Sequence, residues 1–183
     1  MNKNDIIALK TEAKNHLINE LLPFWTTRMK DKKNGGYITH FDEDGKDTGE
    51  DEKSLIAQTR CLYTIASAHR AGYGKGKYAE LAKHGVDFLI NKMWDKENGG
   101  FYWLMDRKGK VKIDQKIIYG HSFAIYSLSE YTLATGDQRG VEYAEKVFDL
   151  IQKYCVDTMY GGYWEMFQRD WTLNGPGSAG GDR

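Results

Sequence analysis

The sequence reads Asp31-Lys-Lys-Asn-Gly-Gly-Tyr37 at one point, Asp95-Lys-Glu-Asn-Gly-Gly-Phe101 at a second and Asp157-Thr-Met-Tyr-Gly-Gly-Tyr163 at a third. The copies begin at positions 31, 95 and 157, so the two intervals between successive copies are nearly equal. A near-constant period of this length indicates one supersecondary unit that has been copied. We expect repeat units at about residues 5–53, 54–116 and 117–178, the last of them incomplete, within one partial domain that spans residues 1–183.

Each unit is predicted to contain an amphipathic helix that ends at the Gly-Gly pair. Apolar residues recur at three- and four-residue steps in residues 78–93 and 141–155, which is typical of helices with one solvated face. The first such helix is predicted at about Asp5 to Met29. Pro23 is expected to kink or break it near Leu22, because proline lacks the N–H that a helix interior needs.

A second class of helix is predicted to follow each Gly-Gly pair. Residues 54–69 contain Arg60 as their only Asp, Glu, Lys or Arg, and residues 117–129 contain none. Such helices are expected to be buried on most sides. They are predicted to start at Lys53 and Lys116, after a short β-hairpin built from the aromatic run and the turn that follow each Gly-Gly pair.

The alternation of outer amphipathic and inner apolar helices predicts an all-α fold, an (α/α)6 barrel or toroid with short hairpins between helices. The spacing places a third inner helix near Ala179, and the sequence ends at Arg183. We therefore expect about half of a barrel. Its exposed inner face is expected to be covered by further chain, by a homodimer partner or by a second chain that completes the barrel.

Composition excludes several classes of partner. Lys plus Arg and Asp plus Glu number 26 each, so the net charge is zero and favours neither a nucleic acid nor an anionic membrane. Neither a phosphate-binding loop nor a Cys/His metal spacing is present, so we expect no metal and no cofactor. Cys61 and Cys155 are interpreted as reduced core thiols, and the protein is expected to be cytoplasmic.

Arg60 is the first candidate for chemistry. A permanent charge on an apolar helix needs either a buried acidic partner or a function, and a guanidinium offers a fixed fork of donors to oxygen anions. Gln58 and His121 occupy equivalent positions one turn into the two inner helices. They are predicted to bind substrate, and His121 is also a candidate for proton transfer. The alternative is that His121 is a satisfied core histidine that bonds a neighbouring carbonyl.

Three further side chains are candidates. Tyr119 is predicted to donate to a substrate oxygen, with a barrel-lining aromatic as the alternative. Trp103 follows a Gly-Gly pair and is predicted to wall the mouth of the site or to pack in the hairpin. Glu165 is a candidate general acid or base, or else the partner of a nearby cation such as Arg169.

Several segments of the chain resemble, in the same order, segments of the N-acylglucosamine 2-epimerase superfamily. This superfamily includes cellobiose 2-epimerases, mannose 2-epimerases and mannose isomerases. These segments are Leu22-Pro-Phe-Trp25, Gly35-Gly-Tyr37, Gln58-Thr-Arg60, Trp94 to Phe101, Tyr119-Gly-His-Ser-Phe123, Ile125 to Tyr131 with Thr135-Gly-Asp137, and Glu165 to Trp171. Together they cover nearly all of the 183 residues.

The resemblance implies an (α/α)6 barrel of about twice this length and a mono- or disaccharide substrate. It implies epimerisation at C2, or aldose–ketose isomerisation, of glucose- or mannose-type sugars through an enediolate. Arg60 matches the arginine that stabilises the oxyanion, and Tyr119 matches a tyrosine that contacts substrate. His121 stands where cellobiose epimerases often have glutamine and mannose isomerases histidine, which leaves the preferred sugar open. The acid/base histidines are expected beyond Arg183, so this chain is not expected to be fully active alone.

Two other functions remain as alternatives. A glycoside hydrolase or lyase on an α/α barrel would need two carboxylates that face the pocket, and only Glu165 and Asp170 are available in suitable loops. An inactive helical-repeat fragment that binds sugar or protein is the other alternative.

Overall fold

A computed structural model describes residues 2–174 of the chain, which are mostly helical. The helices are α1 (Lys3–His16), α2 (Leu22–Arg28), α3 (Leu55–Arg70), α4 (Lys77–Phe88), α5 (Ile118–Thr135) and α6 (Arg139–Tyr154). The strands are β1 (Lys53–Ser54), β2 (Leu104–Met105), β3 (Val111–Ile113), β4 (Lys116–Ile117) and β5 (Met166–Phe167). A π turn, Leu89–Met93, follows α4, and a 3₁₀ turn, Tyr73–Gly76, precedes it. The inner helix expected near Ala179 lies outside the described residues.

The first predicted helix is interrupted close to where Pro23 was expected to break it. A π turn, Leu17–Leu21, separates α1 from α2. The Leu22 N–H bonds the carbonyl of Leu17, five residues back, and Pro23 then occupies the first turn of α2, where its missing N–H costs little. The apolar stripe of α1 is exposed, with Ile6 and Leu9 each about half accessible.

Two small antiparallel sheets join successive units. Strand β1 pairs with β2, which pairs with β3, and β4 pairs with β5. The short segment before each inner helix therefore pairs with the hairpin of the next unit. Because Lys53 and Lys116 belong to these strands, the inner helices begin two residues later than predicted. The second-unit hairpin is confirmed as β2–β3, whereas the first copy has a single bridge between Phe41 and Asp47.

The two inner helices, α3 and α5, lie side by side. The Arg60 guanidinium lies over Phe123, Tyr63 stacks on Tyr126, and Ser67 bonds Glu130. The sequence separation is the same in all three pairs, and a constant offset along both helices means that the helices are parallel. Helix α4 packs on α3 and α6 packs on α5. Residues 2–174 thus form two outer–inner helix pairs and not a closed ring.

The core lies between inner and outer helices. Buried positions of α3 and α5 include Leu62, Ile65, Ala124 and Leu128. Most positions of both helices are buried or half-buried, as predicted, but the face turned away from the outer helices keeps an exposed strip that includes Arg60, Thr64, Tyr119 and Tyr126. The physical reason is that each inner helix contacts outer helices on one face only.

Candidate functional site

The three Gly-Gly loops share one hydrogen-bonding pattern. In each copy the carboxylate of the leading aspartate accepts the backbone N–H groups of the second and third residues after it. The backbone N–H of the same aspartate bonds the carbonyl of the second glycine. Both glycines of every pair have positive φ, a conformation that residues with a Cβ rarely adopt. These aspartates are Asp31, Asp95 and Asp157, all buried.

In each of the first two loops, a buried lysine pairs with the leading aspartate and holds the loop against the start of an inner helix. We call this set of contacts the loop fastening. Lys53 Nζ lies 2.8 Å from Asp31 Oδ2, and Lys116 Nζ lies 3.0 Å from Asp95 Oδ2. Both lysine side chains are at most 1% exposed. Burial alone would raise the pKa of each aspartate, but the hydrogen bonds from its cationic partners outweigh burial and hold the pKa well below its usual range.

An arginine from the following hairpin adds a second cation to each aspartate. Arg169 binds Asp95 with two hydrogen bonds, of 2.9 and 3.0 Å. Arg107 approaches Asp31 at 3.7 Å and pairs mainly with Asp47. The alternative that paired Arg169 with Glu165 is therefore wrong, because Arg169 is held by Asp95 and Glu97.

Gln58 and His121 complete the fastening by bonding the aromatic residue after each Gly-Gly pair. The Tyr37 N–H donates to Gln58 Oε1 at 2.7 Å, and Gln58 Nε2 donates to the Tyr37 carbonyl at 2.8 Å. The Phe101 N–H donates to His121 Nε2 at 2.9 Å. His121 Nδ1 must then carry the proton, which it donates to the Ile117 carbonyl at 2.8 Å.

The prediction that Gln58 and His121 contact substrate is corrected by this geometry. Gln58 is 1% exposed and His121 is fully buried, and the hydrogen-bonding groups described above are used within the chain. Burial lowers the pKa of His121 to about 4, so the ring stays neutral at physiological pH. The alternative of a satisfied core histidine is the one that the structure supports.

Arg60 lies on the exposed face of α3. Among residues 2–174 its guanidinium has neither a hydrogen bond nor an ion pair, and its described contact is with the Phe123 ring at 5.8 Å. The structural alternative, an ion pair with a buried acid, therefore finds no support in the described chain. A charged fork of donors is left open at the surface of the inner helices.

Tyr119 reaches the same face from the first turn of α5. Its side chain is 55% exposed, and its ring meets Phe123 edge-on at 5.1 Å. Phe123 thus connects the guanidinium of Arg60 with the phenol of Tyr119. Glu165 fixes the backbone here, since its Oε1 accepts the Tyr119 N–H at 3.2 Å and its carbonyl accepts the Ile118 N–H at 2.9 Å.

Trp103 packs between the first turns of the two inner helices. A Cβ added to Gly120 would lie 2.8 Å from the Trp103 ring and 3.0 Å from the Leu55 side chain. The Trp103 carbonyl also accepts the Leu55 N–H. The ring is half-buried, so the structure places it beside the exposed face and gives it a packing role there.

A cavity of about 420 Å³ opens on the other flank of Arg60, between α2 and α3. Its walls are mainly apolar, with Arg60 as the one charged side chain among the lining residues. These are Trp25, Met29, Thr39, Ser54, Ile56, Ala57, Arg60, Cys61, Thr64 and Ile65. An apolar cavity with a few convergent polar groups is typical of a small-molecule site.

The two cysteines and the possible metal ligands of residues 2–174 form neither a disulfide nor a metal site. Cys61 and Cys155 are unpaired, and burial raises the pKa of each thiol to about 12. Within residues 2–174, His, Cys, Asp and Glu form no group of three that would hold a metal ion. No helix of this part of the chain has the length and hydropathy of a membrane span.

Comparison with known proteins finds similar chains among sugar-converting enzymes. A cellobiose 2-epimerase of Bacteroides fragilis is 36% identical over 169 residues, which are 89% of this chain and 41% of that protein. A D-mannose isomerase of Marinomonas mediterranea is 26% identical, over 78% of this chain and 35% of its own length. The chain spans about two-fifths of the length of the curated relatives it matches.

Solved structures agree with the sequence comparison. The cellobiose 2-epimerase of Bacillus thermoamylovorans superposes with a TM-score of 0.85 and 32% identity, covering 91% of this chain and 42% of that one. The model of the family described as N-acylglucosamine 2-epimerase matches residues 36–179. The chain therefore belongs to the N-acylglucosamine 2-epimerase family.

Proposed function

We propose that the protein that carries this sequence is a carbohydrate 2-epimerase or aldose–ketose isomerase acting on glucose- or mannose-type sugars or their glycosides. The observation that carries the proposal is the Arg60 guanidinium, which has no ion-pair partner among residues 2–174 and lies on the exposed inner-helix face beside Phe123 and Tyr119. The similarity to cellobiose 2-epimerases and to a D-mannose isomerase supports the same class of reaction.

The chemistry explains why a guanidinium is needed. Removal of the C2 proton of an open-chain aldose leaves an enediolate, whose negative charge develops on the former carbonyl oxygen. A preorganised cation or donor at that oxygen stabilises the transition state more than the ground state. In this proposal Arg60 stabilises the oxyanion, and Tyr119 donates to a substrate oxygen. Return of the proton to the opposite face gives the C2 epimer, and its delivery to C1 gives the ketose.

The acid/base groups are proposed to lie outside the described residues. His121 is excluded as a base by its full burial and its two hydrogen bonds. His84 is held by the Gly36 carbonyl at 3.0 Å, and its pKa is lowered by burial. Residues 2–174 are thus proposed to supply one wall of the sugar site.

Exchange of the C2 hydrogen with solvent tests the proposal. The protein that carries this sequence is incubated in D₂O with glucose, mannose or cellobiose, and the C2 position is followed by proton NMR. We expect deuterium at C2 of at least one of these sugars, together with its epimer or ketose. A C2–H bond that stays intact in all three sugars after long incubation would contradict the proposal, and cleavage of the cellobiose linkage would favour a hydrolase.

A further inference from the structure

Two tyrosines at equivalent repeat positions form a stacked pair on the exposed inner-helix face. The rings of Tyr63 on α3 and Tyr126 on α5 are 3.9 Å apart between centroids and 20° from parallel. Tyr126 remains 47% exposed. A stacked pair between parallel helices presents its ring edges and its hydroxyl groups, rather than a single aromatic face, to whatever lies against the helices.

The hydroxyl side of the pair is anchored by a polar network. The Tyr63 hydroxyl interacts with those of Tyr126 and Ser67, which lowers the pKa of Tyr63, and the contact with Tyr63 raises the pKa of Tyr126 to about 12. Ser67 donates to Glu130 at 3.0 Å, and Glu130 binds Arg70 at 2.7 Å. The stacking of the two rings restricts their side-chain rotamers, which lowers the entropy lost when a ligand binds them.

The pair lies one helical turn beyond the residues proposed to act at C2. Tyr63 follows Arg60 by three positions, and Tyr126 follows Phe123 by three, a rise of about 4.5 Å along each helix. The Phe123 and Tyr126 rings are 6.4 Å apart, so the aromatic surface is continuous from Tyr119 to the pair. The rise of about 4.5 Å from Arg60 to Tyr63 is close to the width of one sugar ring.

Resting on the proposed function, we propose that Tyr63 and Tyr126 contact the sugar ring whose C2 reacts at Arg60. Their hydroxyls bond sugar hydroxyls on carbons remote from C2, and their ring edges pack on its C–H groups. The pair therefore contributes to binding of monosaccharides and disaccharides alike, since both place the same ring there. The pair is expected to stabilise the bound substrate and the transition state equally. It therefore lowers KM and leaves kcat unchanged.

Removal of one hydroxyl at a time tests this assignment while keeping the stacked rings. In the protein that carries this sequence, Tyr63→Phe and Tyr126→Phe are each expected to raise KM by about 3- to 10-fold, with kcat within about 2-fold. The rise is expected for mannose and for cellobiose. Tyr154→Phe is the matched control, because Tyr154 also stacks on a ring, that of Trp171, but lies on the outer helix α6.

Deoxy sugars separate a substrate contact from a structural one. A mannose that lacks the hydroxyl bound by the pair, at C4 or C6, is expected to have a KM that is higher by the same factor in the unmodified protein. In the variant, removal of that sugar hydroxyl is expected to raise KM little further. KM values equal to those of Tyr154→Phe for both variants, with C2 exchange retained, would overturn this assignment and leave the proposed function intact. Complete absence of C2 exchange in the unmodified protein would overturn both.

Discussion

The first two loop fastenings use different side chains to bind the aromatic residue that follows the Gly-Gly pair. At the first Gly-Gly loop Gln58 accepts the N–H of Tyr37, and at the second His121 accepts the N–H of Phe101. Each of these two loops also has a buried Asp–Lys pair, whose lysine lies just before an inner helix. Glutamine and histidine both present a hydrogen-bond acceptor one turn into the helix. In the structure, the residue at this position is the one that holds the loop.

The two fastenings differ in how many cations surround the aspartate. Asp95 is fully buried between Lys116 and a bidentate Arg169, whereas Asp31 has Lys53 close by and Arg107 at 3.7 Å. A buried cation whose partner is removed is left uncompensated, which is the costly case for ion pairs. The second fastening should therefore be the more sensitive of the two.

The largest stability effect is expected from loss of that aspartate. Asp95→Ala is predicted to lower the free energy of unfolding by about 3–5 kcal/mol, because it leaves Lys116 buried without its partner. Asp31→Ala is the comparison and is expected to cost less, since Asp31 has one close cationic partner. Urea unfolding measures both. A larger cost for Asp31→Ala would show that the number of close cations does not set the sensitivity.

A packing difference between the copies gives the next effect. Tyr37 donates its hydroxyl to the Leu81 carbonyl, and a Cβ at Gly85 would lie 2.1 Å from that hydroxyl. In the second copy the aromatic residue is Phe101, which has no hydroxyl, and the position equivalent to Gly85, counted back from the next Gly-Gly pair, is Val147. Gly85→Ala is predicted to destabilise by about 1–3 kcal/mol through overpacking.

A double-mutant cycle tests whether the Tyr37 hydroxyl is the reason for a glycine at position 85. Tyr37→Phe removes the hydroxyl that Gly85→Ala would strike, although ring carbons at 2.5 and 2.6 Å remain, so the double variant is expected to be somewhat more stable than the sum of the single effects predicts. Thermal unfolding of the four proteins gives the coupling. Strict additivity would mean that the hydroxyl does not explain the glycine.

The smallest effect at neutral pH is expected from His121→Gln, which copies the first unit into the second. The pKa of His121 is about 4 in the folded chain and near 6.5 when unfolded. Between these values the unfolded state binds a proton that the folded state does not, so stability falls as pH decreases through the window. The variant is expected to lose this part of the acid sensitivity.

Unfolding free energies at pH 7.5 and pH 4.5 check this prediction. His84, whose pKa is also lowered by burial, is present in both proteins and serves as the internal reference. At pH 7.5 the variant is expected to lie within about 1 kcal/mol of the parent. An unchanged difference between the two pH values would mean that His121 does not titrate as its burial implies.

The period and the helix classes were predictable from the sequence because they depend on local patterns. Gly-Gly pairs mark the loops, and the apolar steps mark α4 and α6. The starts of α3 and α5 were predicted two residues early, since the pairing of β1 with β2 depends on a partner strand in the next unit of the repeat. The exposed face of the inner helices depends on chain contacts that periodicity does not report.

The candidate site was predictable only in part. The sequence predicts Arg60 and Tyr119 as site residues, and the structure places both beside Phe123, while their roles stay predictions. The Asp–Lys pairs were missed, although the signal was present: Lys53 and Lys116 recur at equivalent positions, as do Asp31 and Asp95. Gln58 and His121 were interpreted as ligands because polar residues on apolar helices indicate function or buried hydrogen bonds equally well, and only geometry separates the two.

The loop fastenings are structural, whereas the exposed inner-helix face is proposed to be functional, and Arg60 tests that difference most directly. The measurement is kcat for C2 deuterium exchange by Arg60→Ala, beside Arg28→Ala, an exposed arginine on α2 that lies over Phe24 at 4.6 Å. Arg60→Ala is predicted to lower kcat by about 10²- to 10³-fold with an unchanged unfolding midpoint, and Arg28→Ala to leave kcat unchanged. Equal kcat values for the two variants and the parent would contradict the account.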